Sequence, residues 1–361
     1  LKIKNIILKN INFELNNKNF DFFIKLLNNN FSNSNFEIYD SNIFFRNIEN
    51  DVLFINKINK LKYYYDLNDK RNTLISNNEI FNIPYTVELK NDLDEKKILS
   101  KFNFNFLKLQ LKNELSYNDN EKNGYIKVVY NKNKSEGTYK LKKNIFSFNF
   151  SNNLVDDYFN YNGIINFIPF FSELSGDIEI INLDKLLSPN TILVQLFKSE
   201  LLNNKNLNIN ATINAKQIIP FRDLNNLLFK LRIEDGLIDI SETKFSWLNY
   251  LDLQIFDSLL YVKNNNLVLD GNVSINIHES NEIYKFFQTP ANYRKEIKRI
   301  SLNFIYNFDQ EIATLNNIEV DGLINQKVNQ ILNQFISKNT VLQNRIYFKS
   351  LINKALKSYS G

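Results

Sequence analysis

Cysteine is missing from the 361-residue chain. Its absence removes disulfides, thiolate metal sites and cysteine nucleophiles, and it leaves the redox compartment open. One histidine is present, His278, so neither a Ser-His-Asp triad elsewhere nor a multi-histidine metal site can be assembled. Glycine (8) and proline (5) are scarce, and none of the glycine-rich phosphate loops or the G-x-S-x-G elbow occurs, so nucleotide-dependent chemistry and cofactors are not expected. Methionine is also absent, the initiator included, and the chain starts Leu1-Lys2-Ile3. A processed product or a segment of a longer protein is the expectation. No apolar run reaches the 18 or more residues of a membrane span; the longest, 163–171 and 224–231, are about half that. Any signal or anchor is expected upstream of Leu1.

What is present is ordinary for a chain that buries a core: 43% hydrophobic and 23% charged residues. The 44 Lys+Arg against 39 Asp+Glu give a net charge of +5, spread along the chain without an arginine cluster, and no nucleic-acid partner is expected. Asparagine supplies roughly one residue in six and Lys far outnumbers Arg. AT-rich coding produces the same bias, so composition carries no functional signal here.

The dominant period is two, the mark of half-buried strands. It is seen in Ile11-Phe13-Leu15, Phe102-Phe104-Phe106, Phe146-Phe148-Phe150, 207–215, Val273-Ile275-Ile277 and Phe304-Tyr306-Phe308. After Phe106 the alternation continues one residue out of phase in Leu107-Leu109-Leu111, which predicts a β-bulge or a tight bend. Polar turn signals at 118–120, Glu136-Gly137, Asp235-Gly236, 264–266, Asp270-Gly271 and Asn316-Asn317 predict hairpins of an antiparallel, meandering sheet. Helical spacing is read over 183–202 divided by Pro189, over 221–231, over 280–300 broken by Pro290, from Gly322 through Ile324, Val328, Ile331, Leu332, Phe335 and Ile336, and in a basic tail over 345–357.

Each chemistry-bearing cluster has a plainer reading. His278-Glu279 lacks a second histidine or a nucleophile and receives no role. The carboxylates Asp92-Asp94-Glu95, Asp156-Asp157 and Glu234-Asp235-Asp239 read as solvated turn and strand positions. The 31 Phe and 18 Tyr sit mainly in the inward phase of strands, as core residues do. Arg294, Lys295, Lys298 and Arg299 form the best cationic run, a solvated helix face in the first reading and a contact with anionic lipid or nucleic acid in the second. Arg345 and Lys349, on a tail with Tyr347, Phe348 and Tyr359, have the composition of an interfacial helix.

The stretch Phe229-Lys-Leu-Arg-Ile-Glu-Asp-Gly236 continuing to Trp247, with Leu267-Val-Leu-Asp-Gly271, 284–289, 305–308 and Ile318-Glu-Val-Asp-Gly322, resembles the C-terminal region of AsmA-like proteins of Gram-negative bacteria. A weaker likeness to the family's strand pairs lies at 35–45 and 52–58. The resemblance implies a mainly β fold with some α: a long antiparallel sheet curled into a groove, with packing or capping helices and a C-terminal helical tail. It divides the chain into an N-terminal β-groove segment (1–150), an AsmA-like β region with interspersed helices (151–322) and an amphipathic tail (323–361). It further implies a non-enzymatic periplasmic protein, held at the inner membrane by an N-terminal anchor absent from this sequence, that carries phospholipid or other acyl-chain lipid in outer-membrane biogenesis, with envelope protein partners unspecified. Phe102, Phe104, Phe106, Ile209, Ile213, Val273, Ile275 and Ile277 would line the groove, and Arg294, Lys295, Lys298, Arg299, Arg345 and Lys349 would touch a membrane surface. The alternation of strands fits equally a closed β core, and a structural scaffold of the cell envelope without lipid transport is the alternative.

Overall fold

The computed structural model describes residues 5–16, 18–19, 35–46, 50–92, 94–117, 122–130, 133–152, 158–167, 169–332, 337–338 and 345–360. They are mainly β, in antiparallel sheet with a few parallel pairs, accompanied by short helices and one longer C-terminal helix. The chain divides into two units, Leu1–Asn152 with Asn162–Pro169, and Asn153–Tyr161 with Phe170–Gly361.

In the first unit β1 (Asn5–Lys9) and β2 (Asn12–Leu15) both run parallel to β3 (Asn35–Arg46). From β3 onward each strand pairs antiparallel with the next: β4 (Val52–Asp66), β5 (Arg71–Ile80), β6 (Ile83–Asp92), β7 (Lys97–Phe104), β8 (Leu109–Tyr117), β9 (Lys122–Tyr130), β10 (Asn133–Lys142) and β11 (Ile145–Asn152). The phase slip after Phe106 is a tight bend: residues 105–108 turn between β7 and β8, with the Leu107 N–H donating to the Phe104 carbonyl (3.1 Å).

Scarce glycine forces an unusual solution at these turns. The Asp66 carboxylate accepts the N–H groups of Asn68 and Asp69, and Lys70 closes the turn at φ 52°. Asp92 does the same for Asp94 and Glu95 with Lys96 at φ 51°, and Asn307 for Asp309 and Gln310 with Glu311 at φ 53°. The side-chain oxygen satisfies backbone donors as in an Asx turn. The left-handed position, which glycine occupies at no steric cost, is held by a lysine or glutamate instead.

Several expected turns are strand interior. Glu136-Gly137 lies within β10, where a Cβ on Gly137 would meet the Phe150 ring at 2.5 Å. Asp270-Gly271 lies within β19 (Asn266–Ile277), where a Cβ on Gly271 would come 2.9 Å from that of Ser258. These glycines serve close approach rather than reversal. Asn316-Asn317 is a bulge in a strand, with Asn317 at φ 50°. Asp235-Gly236 and Asn264-Asn265 do turn, at positive φ. Residues 118–120 lie outside the described residues.

After β12 (Phe159–Phe167), the second unit builds its sheet from β13 (Phe170–Asn182), β14 (Ile209–Ile219), β15 (Leu224–Glu234), β16 (Leu237–Asp239), β17 (Lys244–Trp247), β18 (Leu251–Lys263), β19, β20 (Arg299–Asn307), β21 (Ile312–Val320) and β22 (Leu323–Ile324). The β13–β14 pair is parallel because helices α1 (Leu183–Leu187) and α2 (Ile192–Lys198) intervene, divided at Pro189 as expected. Residues 221–231, expected as a helix, enter strand β15 at Leu224: Leu227, Phe229, Leu231 and Ile233 pair with Ala215, Ile213, Ala211 and Ile209. The bulge between Asn225 and Leu228, with Asn226 at φ 51°, sets Leu224 and Leu227 three residues apart in one cluster and imitates helical spacing. The expected helix over 280–300 is α3 (Ser280–Phe286), then a 3₁₀ turn after Pro290, an extended stretch and β20. Beyond Gly322, Ile324 belongs to β22, α4 covers Gln326–Leu332, and α5 spans Arg345–Ser360 after the two-residue strand β23 (Ser337–Lys338). Phe335 and Ile336 lie outside the described residues.

Helices fill both ends of one face of this sheet. At one end Val194 and Phe197 of α2 pack on Ile233, Ile238, Leu260, Leu267, Leu269 and Phe308. The Lys198 ammonium meets Asp309 at 2.5 Å there, while the same carboxylate accepts the Leu267 N–H. At the other end Ile283 and Tyr284 of α3, with Phe287 just past its end, pack with Ile297, Val320 and, from α5, Leu356, and Leu351 and Ala355 join Ile318, Val328 and Leu332. Truncating Phe197 to alanine is expected to lower unfolding free energy by about 3–5 kcal/mol, measured by urea denaturation. Lys96→Gly relieves a left-handed side chain and is expected to raise it by about 0.5–1 kcal/mol, with an unchanged denaturant slope.

Candidate functional site

Register assigns every paired residue of the first unit to one of two faces, since directly opposed positions share a face. One face carries Phe36, Ile38, Ile43 and Phe45 of β3, Phe54, Ile58, Leu61 and Tyr63 of β4, Leu74 and Ile80 of β5, and Tyr85, Val87 and Leu89 of β6. It continues through Ile98, Phe102 and Phe104 of β7, Leu109, Leu111 and Leu115 of β8, Ile126 and Val128 of β9, Tyr139 and Leu141 of β10, and Phe146, Phe148 and Phe150 of β11. From β3 through β8 the paired, described positions of this face include no charged residue. The other face holds the charge: Glu88, Lys101, Lys112, Lys127 and Glu136 stand opposite one another in sequence from β6 to β10. Alternation has sorted the unit into an apolar face and a charged one.

The apolar face is paved with rings. Phe104 stacks on Tyr85 with centroids 5.0 Å apart, Phe45 on Phe54 at 4.2 Å, and Tyr139, Phe146, Phe148 and Phe150 follow one another at 4.9, 5.9 and 5.7 Å. Gly124 makes room for Tyr139, whose hydroxyl reaches Asn113 (2.6 Å). Burial pushes the Tyr63 phenol up to about 12 and raises those of Tyr85 and Tyr139, which favours the neutral form of these three. Over β3–β6 the face holds a cavity of about 250 Å³ lined by Ile43, Phe45, Phe54, Asn56, Ile58, Leu61, Leu74, Ser76, Asn78, Ile80, Tyr85 and Val87.

Of the residues expected to line a groove, Phe102 and Phe104 lie on this face, opposite Leu111 and Leu109. Phe106 does not belong to the strand; it sits in the β7–β8 turn and is 76% exposed. In the second unit Ile209 packs against the α2 cluster and Ile277 against the α3 cluster. Ile213 faces Phe229, Val273 lies between Ile255 and Leu302, and Ile275 between Leu253 and Ile300. These three are half-buried.

The cationic residues occupy varied positions. Arg294 donates to the Thr289 carbonyl (2.9 Å), and Lys295 is held through its backbone by the Tyr284 hydroxyl. Lys298 is exposed, while Arg299 opens β20 and donates to Ser274 (3.0 Å). They lie on an extended stretch and a strand rather than on the expected helix face. Lys349 rests 3.9 Å over the Phe286 ring, a cation–π contact between α5 and α3. Arg345 begins α5, and its side chain lies outside the described residues. The apolar stripe of α5 is consumed by Leu351, Ala355 and Leu356 in the unit's own core; in its first turn Ile346 is 83% exposed.

His278 contacts Asp252 through Nε2 (2.8 Å), and Ser246 donates to the other oxygen of that carboxylate (2.7 Å). The hydroxyl is bound to the aspartate and not to the imidazole, so nothing activates it as a nucleophile. Asp92 ends β6 and pairs with Arg71 at 2.9 Å, and Asp239 pairs with Arg232 at 2.8 Å. Asp156 and Asp157 lie outside the described residues. Among the described residues no group of three or more His, Asp or Glu side chains could hold a metal, and no helix is long and apolar enough to cross a membrane.

The β3–β6 cavity escaped the sequence reading for a physical reason. The bulges near Asp40 and between Ile58 and Lys60 reset the alternation within β3 and β4. In β5, Asn72, Ser76 and Asn78 point to the apolar face and are buried while Ile75 is exposed, which inverts the usual polarity. The findable signal was Leu74 and Ile80 in phase with those small polar residues. No protein-family model, curated protein or solved structure matches the chain.

The Ser246 hydroxyl and then His278 hold the Asp252 carboxyl below its ordinary value, against the upward effect of burial. Its contribution to stability is therefore full above the unfolded carboxyl value and fades as pH falls through the lower folded value. Asp252→Asn is expected to shallow the acid limb of melting temperature against pH, measured by circular dichroism between pH 5 and 2, with the difference from the parent protein vanishing at the acid end.

Proposed function

We propose that the chain is a non-enzymatic, AsmA-like protein of the Gram-negative cell envelope that binds or conducts phospholipid acyl chains along an apolar β-sheet face and so supports outer-membrane biogenesis from the periplasmic side of the inner membrane. The observation that carries the reading is the ring-paved face of the first unit, free of charge among its paired, described positions from β3 through β8. An apolar face of this extent in water is costly at about 25 cal/mol per Å², and contiguous apolar surface of this kind marks a ligand or interaction site. Acyl chains match it because they are apolar, flexible and extended, and dispersion and burial suffice to hold them.

In the second unit the corresponding face is filled at both ends by α2 and by α3, α4 and α5. That arrangement is what the scaffold alternative expects. The lipid reading is accordingly assigned to the first unit, and in the second to the half-buried stripe of Ile213, Val273 and Ile275.

The test is native mass spectrometry with lipid extraction on protein purified from a Gram-negative host. Stoichiometric phospholipid is expected with the parent chain and lost with Phe104→Asp, which places a charge on the apolar face beside Tyr85. Asn276→Asp, on the opposite phase of β19, is expected to leave the lipid bound. A lipid-free, monodisperse and stable parent protein would overturn the reading in favour of the scaffold.

A further inference from the structure

On the polar face of the second unit's sheet lies a cavity of about 280 Å³, lined by Gln254, Phe256, Ser274, Asn276 and Arg299. Register gathers these residues. Gln254 of β18 stands opposite Ser274 of β19, and Asn276 of β19 opposite Arg299 of β20, so three adjacent strands meet at one spot. Ser274, 6% exposed, is the floor. Its hydroxyl accepts the Arg299 Nε–H (3.0 Å), which holds the guanidinium at the cavity by one nitrogen. Both Nη groups are left without a protein partner among the described residues.

The carboxylates of this face are engaged elsewhere. Asp252, opposite Asn276, is held by the Ser246 hydroxyl and by His278. Glu319, opposite Ser301, accepts that serine's hydroxyl (3.3 Å). Asp321 accepts the backbone N–H of Arg299 (2.8 Å) and not its guanidinium. None of the three lines the cavity. A second cation, Lys244 of β17, stands opposite Gln254 on the same face and forms no ion pair among the described residues.

An arginine fork is donor-only and always charged. With no internal counter-charge, it selects an anion whose oxygens accept two parallel N–H bonds. A carboxylate has only two oxygens, and the fork uses both. Gln254 and Asn276 make no side-chain hydrogen bond to the described residues, so their carboxamides are free to turn a donor toward further oxygens. A tetrahedral anion supplies those oxygens.

We infer that this cavity binds the phosphate group of a small soluble ester, with the Arg299 fork and the Gln254 and Asn276 carboxamides donating to its oxygens and Phe256 walling the attached carbon skeleton. The ligand is soluble because Ser274 and Asn276 occupy the phase of β19 opposite to Val273 and Ile275, the stripe assigned to acyl chains. A lipid held on that stripe has the sheet between its headgroup and the cavity. The inference therefore stands apart from the acyl-chain reading.

The experiment is isothermal titration calorimetry of the full chain in phosphate-free buffer, with sn-glycerol 3-phosphate and malonate as probes. Saturable binding of the phosphate ester is expected, tighter than that of malonate. Arg299→Gln is expected to weaken it about tenfold or more. Arg222→Gln removes the same charge from a residue that does not line the cavity and is expected to leave binding unchanged. Asn276→Asp is expected to weaken the phosphate ester while bound lipid is retained, so the two readings fail separately. No binding of the ester by the parent protein overturns the inference, as does malonate binding equally well. Loss of equal size in Arg222→Gln marks the binding as unspecific attraction to net charge and also overturns it. Phosphatidylglycerol vesicles that bind through Arg299 while the soluble ester does not would make the ligand a headgroup and overturn the assignment to a soluble one. The comparison of ester with malonate uses the parent protein alone, so a folding defect in Arg299→Gln does not shield the inference.

Discussion

A strand presents alternate side chains to opposite faces, and once one face is apolar the sheet must set that face against something other than water. Much of this protein follows from that constraint. The backbone ladder satisfies the peptide groups of paired strands, yet it leaves open what covers the side chains on either side. Charge on one face of the first unit fixes which side is wet. The apolar side is then defined before any helix or ligand is considered.

The two units meet the constraint differently. In the second, α2 and the α3–α4–α5 group supply Val194, Phe197, Tyr284, Phe287, Leu351 and Leu356 as cover for the ends of the sheet. Each such buried side chain contributes about 1.5–3 kcal/mol, and capping contacts such as Asn182 to the Lys185 N–H set where the short helices start. In the first unit the rings cover one another in part, Tyr139 over Gly124 and Phe150 over Gly137. That packing still leaves a cavity over β3–β6. The proposed function is a statement about this second kind of solution.

The mainly β, antiparallel architecture was legible because period-two runs such as Phe146-Phe148-Phe150 and Val273-Ile275-Ile277 admit no other regular structure. Helices near Pro189 and at the C-terminus were legible from spacing and from proline. What misled was local irregularity. A bulge at Asn226 set Leu224 and Leu227 three apart in β15 and made a strand look helical, and glycines in β10 and β19 that admit close approach looked like turn residues. The candidate site was half legible: Phe102 and Phe104 were found from alternation, whereas Asn56, Ser76 and Asn78 were invisible because a polar residue on an apolar face carries no periodic signature. Phe106 shows the converse, an aromatic in phase with its neighbours that the chain spends on a turn.

Pairing of each strand with its successor from β3 to β11 has a modular consequence. Apart from the cross-strand side-chain bonds, a strand's ladder depends only on the strands immediately before and after it, as in repeat proteins where stability is a sum over nearest neighbours. Adding or deleting one hairpin would then lengthen or shorten the apolar face by two strand spacings, about 9–10 Å, while the registers on either side stay as they are. The breadth of the surface is thereby decoupled from its local construction, and evolution can adjust how far the face extends without redesigning any strand within it.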